Sequence, residues 1–384
     1  MKDKILAYKR ENGKVGVRNH VLIIPVDDIS NSAALAVENI IQGTLAIPHH
    51  YGRLQFGKDL DLFFKTMIGT GSNPNVAAAI VVGIEPNWTN KIAEGIAQTG
   101  KPVEAFYIEK NGELKTIEKM SRSALKLVQY ATSLKKEWVD FSEITISLKC
   151  GESDTTSGLA SNRVVGRFVE NFLQNNGTIL FGETTELTGA EHIIAERFKK
   201  KEDKEKFMRI FNEYQELIES QEVDLLGSQP TQGNIEGGLS TIEEKALGNI
   251  QKIGKAQIDS ALDYGEVPVG KGLHFMNTSS AAAEAVTLFA AAGAVIHLFP
   301  TGQGNIIGNP VIPVLKITAN PKTAKNMAEH IDLDVSGLLK LEGSLNDHAD
   351  NLWGKIIETA DGKFVMAEML KHREFVLTKL YPSA

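Results

Sequence analysis

The chain has 384 residues, 42% of them hydrophobic and 23% charged, the balance of a soluble globular protein with room for two domains of about 150 residues each. A net charge of −7, with no basic stripe carrying interleaved aromatics, excludes nucleic acid as an expected partner. The single cysteine, Cys150, excludes an intrachain disulfide and a thiolate-only zinc cluster and suits a reducing cytoplasm.

Charges run from Lys2 to Arg10 without the apolar core of a signal peptide, so none is expected. The longest apolar stretch, 281–298, is interrupted by Glu284 and His297, and no membrane span is predicted. Residues 5–19 read as a hairpin with Asn12-Gly13 at its turn. Buried strands are predicted at 21–25, 44–47, 78–84 and 103–108, with amphipathic helical stretches between them and a long helix over 113–136. The theme repeats with strands at 144–148, 178–181, 273–276, 294–299 and 311–317 and a helix over 189–220. Strand and helix alternating at this spacing predict an α/β protein of two Rossmann-like domains, 1–137 and 138–384, with mainly parallel sheets. The stretch 228–238 is too polar and glycine-rich for regular structure and reads as a long functional loop.

Two strands stop at a glycine beside clustered acids and hydroxyls. The first cluster holds Cys150, Glu152, Ser153, Asp154 and Ser157, and the second Glu183, Glu186 and Glu191. Strand ends are where open α/β sheets bind ligands, and carboxylates at this density bind a divalent cation or act as base and acid. The same residue types are ordinary helix caps, and both readings stand at this point. In the first half, Asp27, Asp28, His49, His50, Arg53 and Glu85 also sit at strand ends; adjacent residues on extended chain point to opposite faces, and of the two histidines His49 is the candidate. Thr301-Gly302-Gln303-Gly304-Asn305 resembles an anion-cradling loop and fits no nucleotide fingerprint. Hydroxyls at 278–280 open an alanine-rich helix as caps or ligands. Thr241 and Glu244 form a capping-box pattern, and Lys245, just inside that helix, is a base, an anion contact or a solvated lysine.

The block Tyr8-Lys-Arg-Glu-Asn-Gly-Lys-Val-Gly-Val-Arg-Asn19, the Lys149-Cys-Gly-Glu-Ser-Asp154 block, Gly182-Glu-Thr-Thr-Glu186 with Gly189-Ala-Glu191, the 237–248 block and Thr301 to Asn305 together resemble the altronate and galactarate dehydratase family over almost the whole chain. Those dehydratases usually begin with a small SAF-type domain, whereas this chain starts at the hairpin. They also have cysteine where this sequence reads Asp28 or a near neighbour, Arg53, and Glu85 or Pro86. In these places the chain is similar to the sulfo-lyase members of the family. The resemblance implies a large subunit that eliminates sulfite from (2R)-3-sulfolactate, with sugar-acid dehydration as the alternative, a separate small SAF-domain subunit, and ferrous iron as cofactor with Mn2+ or Mg2+ as alternatives. It further implies hetero- or homo-oligomeric assembly.

On that basis His49, Glu183 and Glu186 are candidates for metal binding or proton abstraction, with Lys245 beside them as a catalytic group. Arg18, Arg53, Ser153, Asp154 and the Thr301–Asn305 loop are the expected substrate contacts. Arg53 stands out, because a bidentate donor in place of a cysteine suits a sulfonate. Cys150 is expected to be a buried small residue, since an elimination needs no nucleophile.

Overall fold

The computed structural model describes residues 4–384, and Lys2 of the charged N-terminus lies outside the described residues. The predicted hairpin forms from β1 (Lys4–Lys9) and β2 (Val15–Gly16), paired antiparallel with Tyr8 opposite Gly16. β3 (His20–Pro25), β4 (Thr44–Ala46), β5 (Val76–Gly83) and β6 (Val103–Tyr107) follow. They make a four-stranded parallel sheet in the order β4-β3-β5-β6. Every residue of β5, Val-Ala-Ala-Ala-Ile-Val-Val-Gly, is buried. A run apolar on both faces belongs in a sheet covered on both sides, and helices cover this one.

After the helix Glu113–Ser133 the chain adds β7 (Glu137–Asp140), antiparallel to β1. The sequence gives little sign of β7, because Glu-Trp-Val-Asp is an exposed edge whose pairing is set by a partner about 130 residues away. The main sheet comprises β8 (Thr145–Leu148), β9 (Thr178–Phe181), β10 (Ser260–Leu262), β11 (Gly272–Met276), β12 (Ile296–Thr301), β13 (Val314–Thr318) and β14 (Leu333–Asp334). Its order is β10-β11-β9-β8-β12-β13-β14, parallel throughout. From β8 the chain builds outward through β9 and β11, then returns to lay β12 on the other side of β8. That reversal places a topological switch point at the carboxyl ends of β8 and β12.

Two helical predictions are corrected. The helix expected over 189–220 is two, Glu191–Ala195 and Lys201–Ser220. Between them, Phe198 bridges Ile258, with hydrogen bonds from Lys199 N–H to the Ile258 carbonyl and from Ile258 N–H to the Arg197 carbonyl. The loop 228–238 contains the short helix Gln232–Glu236, started by a Thr231–Asn234 capping box.

The two parallel sheets share one apolar core, in which Leu22, Ile24 and Val81 of the first meet Leu180, Met276 and Phe299 of the second. The helices Gly57–Ser72 and Ala282–Ala291 pack directly, and a Cβ at Gly69 would collide with the Ala291 carbonyl. Asn75 locks the junction. Its Oδ1 accepts from the N–H groups of Val17 (2.8 Å) and Arg18 (3.1 Å), and its Nδ2 donates to the carbonyls of Val295 (2.9 Å) and Val311 (3.0 Å). Asn75→Ala would take a partner from all four backbone groups, of which the Val311 carbonyl would keep the His20 side chain. It is expected to cost about 3–5 kcal/mol, read as a lower urea midpoint at unchanged m-value.

Candidate active site

Leu148 and Phe181 are register partners at the ends of β8 and β9, so Lys149-Cys150 and Gly182-Glu183 leave the sheet side by side. Glu183 adopts the left-handed conformation, φ 71°, which costs a non-glycine residue about 1–3 kcal/mol. Thr278, just beyond β11, holds it there: its Oγ1 accepts from Glu183 N–H at 2.8 Å and its carbonyl from Thr184 N–H at 3.0 Å. The hydroxyl expected as cap or ligand is a backbone anchor for the site.

Glu183 is fully buried between two ammonium groups. Its Oε1 accepts from Lys149 Nζ at 3.1 Å, and Lys252 Nζ binds its Oε2. Lys149 also donates to the Cys150 carbonyl at 2.7 Å, and Lys252 to Asn249 Oδ1. The thiol of Cys150 lies 3.6 Å from Asn249 Oδ1, 3.7 Å from Lys252 Nζ and 3.9 Å from Glu183 Oε1. A second buried pair stands beside the first. Glu186 Oε1 is 3.2 Å from Lys245 Nζ, which also donates to Gln229 Oε1 (2.7 Å) and Asn234 Oδ1 (3.1 Å), and Glu186 Oε2 accepts from Asn249 Nδ2 at 3.4 Å.

Burial by itself would raise the Glu186 carboxyl, but Lys245, Lys149 and Lys252 hold it below the ordinary carboxylate value. Burial opposes the charge on Lys149 and Lys252, yet Lys149 is lifted above the ordinary lysine value by Glu183 and Glu186, and Lys252 by Cys150 and then Glu183. Cys150 is pushed up by burial and then by Glu183.

A cavity of about 420 Å³ opens on this cluster, walled by Lys149, Glu186, Lys245, Tyr214, Ser280 and Asn305 among others. Glu183, Cys150 and Lys252 lie behind that wall. Cys150, Glu183 and Glu186 present three ligand atoms within 4.8 Å of one another and can hold a metal ion. One thiolate with two carboxylates suits a divalent transition metal, and such an ion would compete with the lysines for the same oxygens.

Several expected site residues have other work. His49 is not in the metal-capable cluster: its Nε2 donates to the Pro25 carbonyl at 3.0 Å and its Nδ1 accepts from Tyr51 N–H at 3.2 Å, so neither ring nitrogen is free. Arg18 is a structural clamp. It forks onto Glu368 at 2.6 and 2.7 Å and donates to the carbonyls of Val17, Thr359 and Lys363, leaving nothing for a substrate. Arg53 is exposed on the loop before the helix Gly57–Ser72 and is not in the cavity wall.

The Thr301–Asn305 loop spends its amides internally. Gly302 and Gln303 N–H donate to the Glu152 carbonyl, and Gly304 N–H donates to Thr301 Oγ1, while Asn305 is the loop's residue in the cavity wall. Asp154 is a cap, accepting from Thr156 N–H (2.9 Å), Ser157 N–H (3.2 Å) and Asn320 Nδ2 (2.8 Å). Ser153, its Oγ buried without a partner, lines an adjoining cavity of about 330 Å³ that shares Lys245 with the first. Glu85 caps the helix Pro86–Ala97 through Asn87 and Trp88 N–H, and Asp27 binds Ser30 Oγ and Ile84 N–H.

Lys245, one of the three open readings, is buried and belongs to the site. Lys149, Asn249 and Lys252 are the residues missed. Positions 245, 249 and 252 stand at i, i+4 and i+7, which puts all three on one helical face; that spacing was the available signal.

A family model described as D-galactarate/altronate dehydratase, C-terminal, matches residues 141–383, and one described as D-galactarate dehydratase/altronate hydrolase, second domain, matches 7–132. The chain is 58% identical over 381 residues to the (2R)-sulfolactate sulfo-lyase subunit beta of Chromohalobacter salexigens, covering 99% of this chain and 98% of that one. It is 28% identical to the altronate dehydratase of Bacillus subtilis, covering 97% of this chain and 77% of that protein. The galactarate dehydratase of Escherichia coli is 26% identical over 78% of this chain and 59% of its own.

His297 in β12 is fully buried, its Nδ1 bonded to Ser147 Oγ at 2.8 Å and its Nε2 unpartnered. Burial first, then Lys149, Lys316 and Lys252, hold it neutral well below its ordinary value. The unfolded chain therefore takes up a proton below about pH 6.5 that the folded chain refuses, and stability falls as pH drops through that point, by roughly 1.4 kcal/mol per pH unit. His297→Phe should flatten this part of the stability profile in urea melts between about pH 6.5 and 5.

Proposed function

We propose, from the premise that the chain belongs to the D-galactarate/altronate dehydratase family, that it is the large subunit of a lyase that eliminates sulfite from (2R)-3-sulfolactate. The geometric observation that carries this is the Glu186–Lys245 pair in the wall of the cavity, with Lys149 beside it. A carboxylate beside an ammonium can take an α-proton, and the lysines in the wall favour a substrate that is already anionic and becomes more so.

The reaction runs as follows. The C2 proton passes to the Glu186–Lys245 pair, and the C2–H electrons form a C2–C3 double bond as the C3–S bond breaks and sulfite leaves with its electron pair. Tautomerisation of the enol puts a proton on C3 and removes one from the 2-hydroxyl, giving pyruvate and hydrogen sulfite. The accepting group is the Glu186 carboxylate, which Lys245, Asn249 and Gln229 hold in place. Cys150, Glu183 and Glu186 would hold ferrous iron, or Mn2+ or Mg2+ in its place. Such an ion supplies Lewis acidity toward the substrate's carboxylate and 2-hydroxyl.

The relative's designation as subunit beta supports a partner subunit, and our reading is a small one of SAF type in a cytoplasmic enzyme. The Arg53 loop, at the exposed edge of the first sheet, would then meet substrate or partner only in the assembled enzyme.

Supplied with its partner and ferrous iron, the chain should release sulfite and pyruvate in equal amounts from (2R)-3-sulfolactate. Turnover of altronate or galactarate in its place would move the reading to a sugar-acid dehydratase. Glu186→Gln should lower kcat by about 10²–10⁴-fold and, because it leaves the buried Lys245 ammonium without its carboxylate, should also lower the thermal midpoint. Cobalt substituted at the metal site should show a thiolate-to-cobalt charge-transfer band that Cys150→Ser abolishes; a band unaffected by that change would remove Cys150 from the ligand set.

A further inference from the structure

Resting on this lyase reading, we infer that Tyr214 is the catalytic acid of the second half of the reaction, giving C3 the proton it gains when the enol becomes pyruvate. The groups in the cavity wall acidic enough to protonate carbon are the ammonium groups of Lys149 and Lys245, the carboxyls of Glu152 and Glu186, and the phenol of Tyr214. Both ammonium groups are tied to carboxylates, Lys149 to Glu183 and Lys245 to Glu186. Glu152 is exposed, and Glu186 takes the α-proton. Tyr214 is the one phenol in the wall among the described residues, and its hydroxyl is partnered by another hydroxyl, that of Thr185.

The phenol is held from two sides. Tyr214 lies in the helix Lys201–Ser220, and its neighbour Gln215 donates through Nε2 to Thr188 Oγ1 at 2.9 Å, which pins that helix to the segment carrying Thr185 and Glu186. From Thr185 a chain of side chains runs round the wall to the base. Thr185 Oγ1 is hydrogen-bonded to Ser280 Oγ, Gln229 Nε2 donates to Ser280 Oγ at 3.0 Å, and Gln229 Oε1 accepts from Lys245 Nζ at 2.7 Å, beside Glu186. Segments remote in sequence thus fix the phenol and the α-proton acceptor at the two ends of one network. The Gln229 amide is a fixed donor and acceptor and not an acid, so the two ends act separately: one accepts a proton from C2 and the other delivers one to C3.

Sulfite leaves C3 with its electron pair and takes no proton from the wall, so the phenol still carries its own when the enol forms. Burial, against the bond to Thr185, lifts that phenol above the ordinary tyrosine value. The electron pair of the C2–C3 double bond then takes the phenol proton to make the new C3–H bond. The 2-hydroxyl O–H bond breaks as the C2–O double bond forms, its proton passes to water, and the phenolate regains a proton from water.

The test runs the chain with its partner subunit and ferrous iron, in ordinary water, on (2R)-3-sulfolactate carrying deuterium and tritium in one configuration at C3, and reads the configuration of the pyruvate methyl group. The wild type should give a methyl of a single configuration. Tyr214→Phe should release sulfite and an enol that ketonises in water, so the configuration is lost and pyruvate lags behind sulfite. A single configuration from Tyr214→Phe, a racemic methyl from the wild type, or loss of sulfite release in a folded Tyr214→Phe would each overturn the inference. p-Aminophenylalanine placed at position 214 keeps the ring and a hydrogen-bonding group without an acidic proton. It decides the matter if Tyr214→Phe does not fold, and a single configuration retained with it would reduce Tyr214 to a support for Thr185. Deuterium carried from C2 of the substrate into the methyl group would make Glu186 the donor and likewise overturn the assignment. Absence of sulfite from the wild type would remove the lyase reading and this inference together, whereas sulfite with a racemic methyl would remove this inference alone.

Discussion

Ionised groups buried out of water cost several kcal/mol each unless they are paired, and two carboxylates and three ammonium groups are buried together at the carboxyl ends of β8 and β9. That cost constrains everything near them. Glu183 has a cation on each oxygen, Lys252 is delivered from a helix distant in sequence, and the small Cys150 side chain fits between them. Replacing such a cluster by apolar residues is often neutral or stabilising, so its presence points to chemistry rather than to stability.

The platform beneath it is correspondingly rigid. The shared core and the four hydrogen bonds of Asn75 fix the first sheet against the second, while Asn73 Nδ2 adds bonds to the carbonyls of Ala290 and Ala294 at the end of the helix Ala282–Ala291. The start of that helix holds Ser280 in the cavity wall, and Thr278, a few residues earlier, sets the backbone of Glu183. Packing between the sheets thus reaches the site through one helix. Arg18 belongs to this framework: its fork onto Glu368 ties the N-terminal segment to the last part of the chain.

Much of the site was legible because strand ends announce themselves as an apolar run, a glycine and a cluster of acids. Glu183 and Glu186 were found in this way, and Lys245 was weighed among three readings. What misled was the assumption that the strongest donors serve the substrate. Arginines and glycine-rich amides bind anions well, and for the same reason they are valuable inside a fold: Arg18 serves carbonyls and one carboxylate, and the amides of Gly302 and Gln303 serve the carbonyl of Glu152. Which use wins depends on neighbours that are hundreds of residues away. Lys252 was missed for the converse reason, since a lysine in a short amphipathic stretch such as Ile250-Gln251-Lys252-Ile253 reads as solvated unless its face of the helix is known to be buried.

Sequence by itself determined the α/β class, the parallel arrangement, most strand positions, the hairpin and the acidic strand ends, because these follow from local period and composition. It determined the family through ordered blocks along the whole chain. Tertiary structure alone decided that β8 and β12 flank a switch point, that β7 pairs with β1, and that His49 and Arg18 bond to backbone groups and, for Arg18, to Glu368. It alone brought Lys149, Lys245 and Lys252 onto two glutamates, because a charged side chain's role is set by what desolvates it and what faces it, and both are properties of contacts between segments remote in sequence.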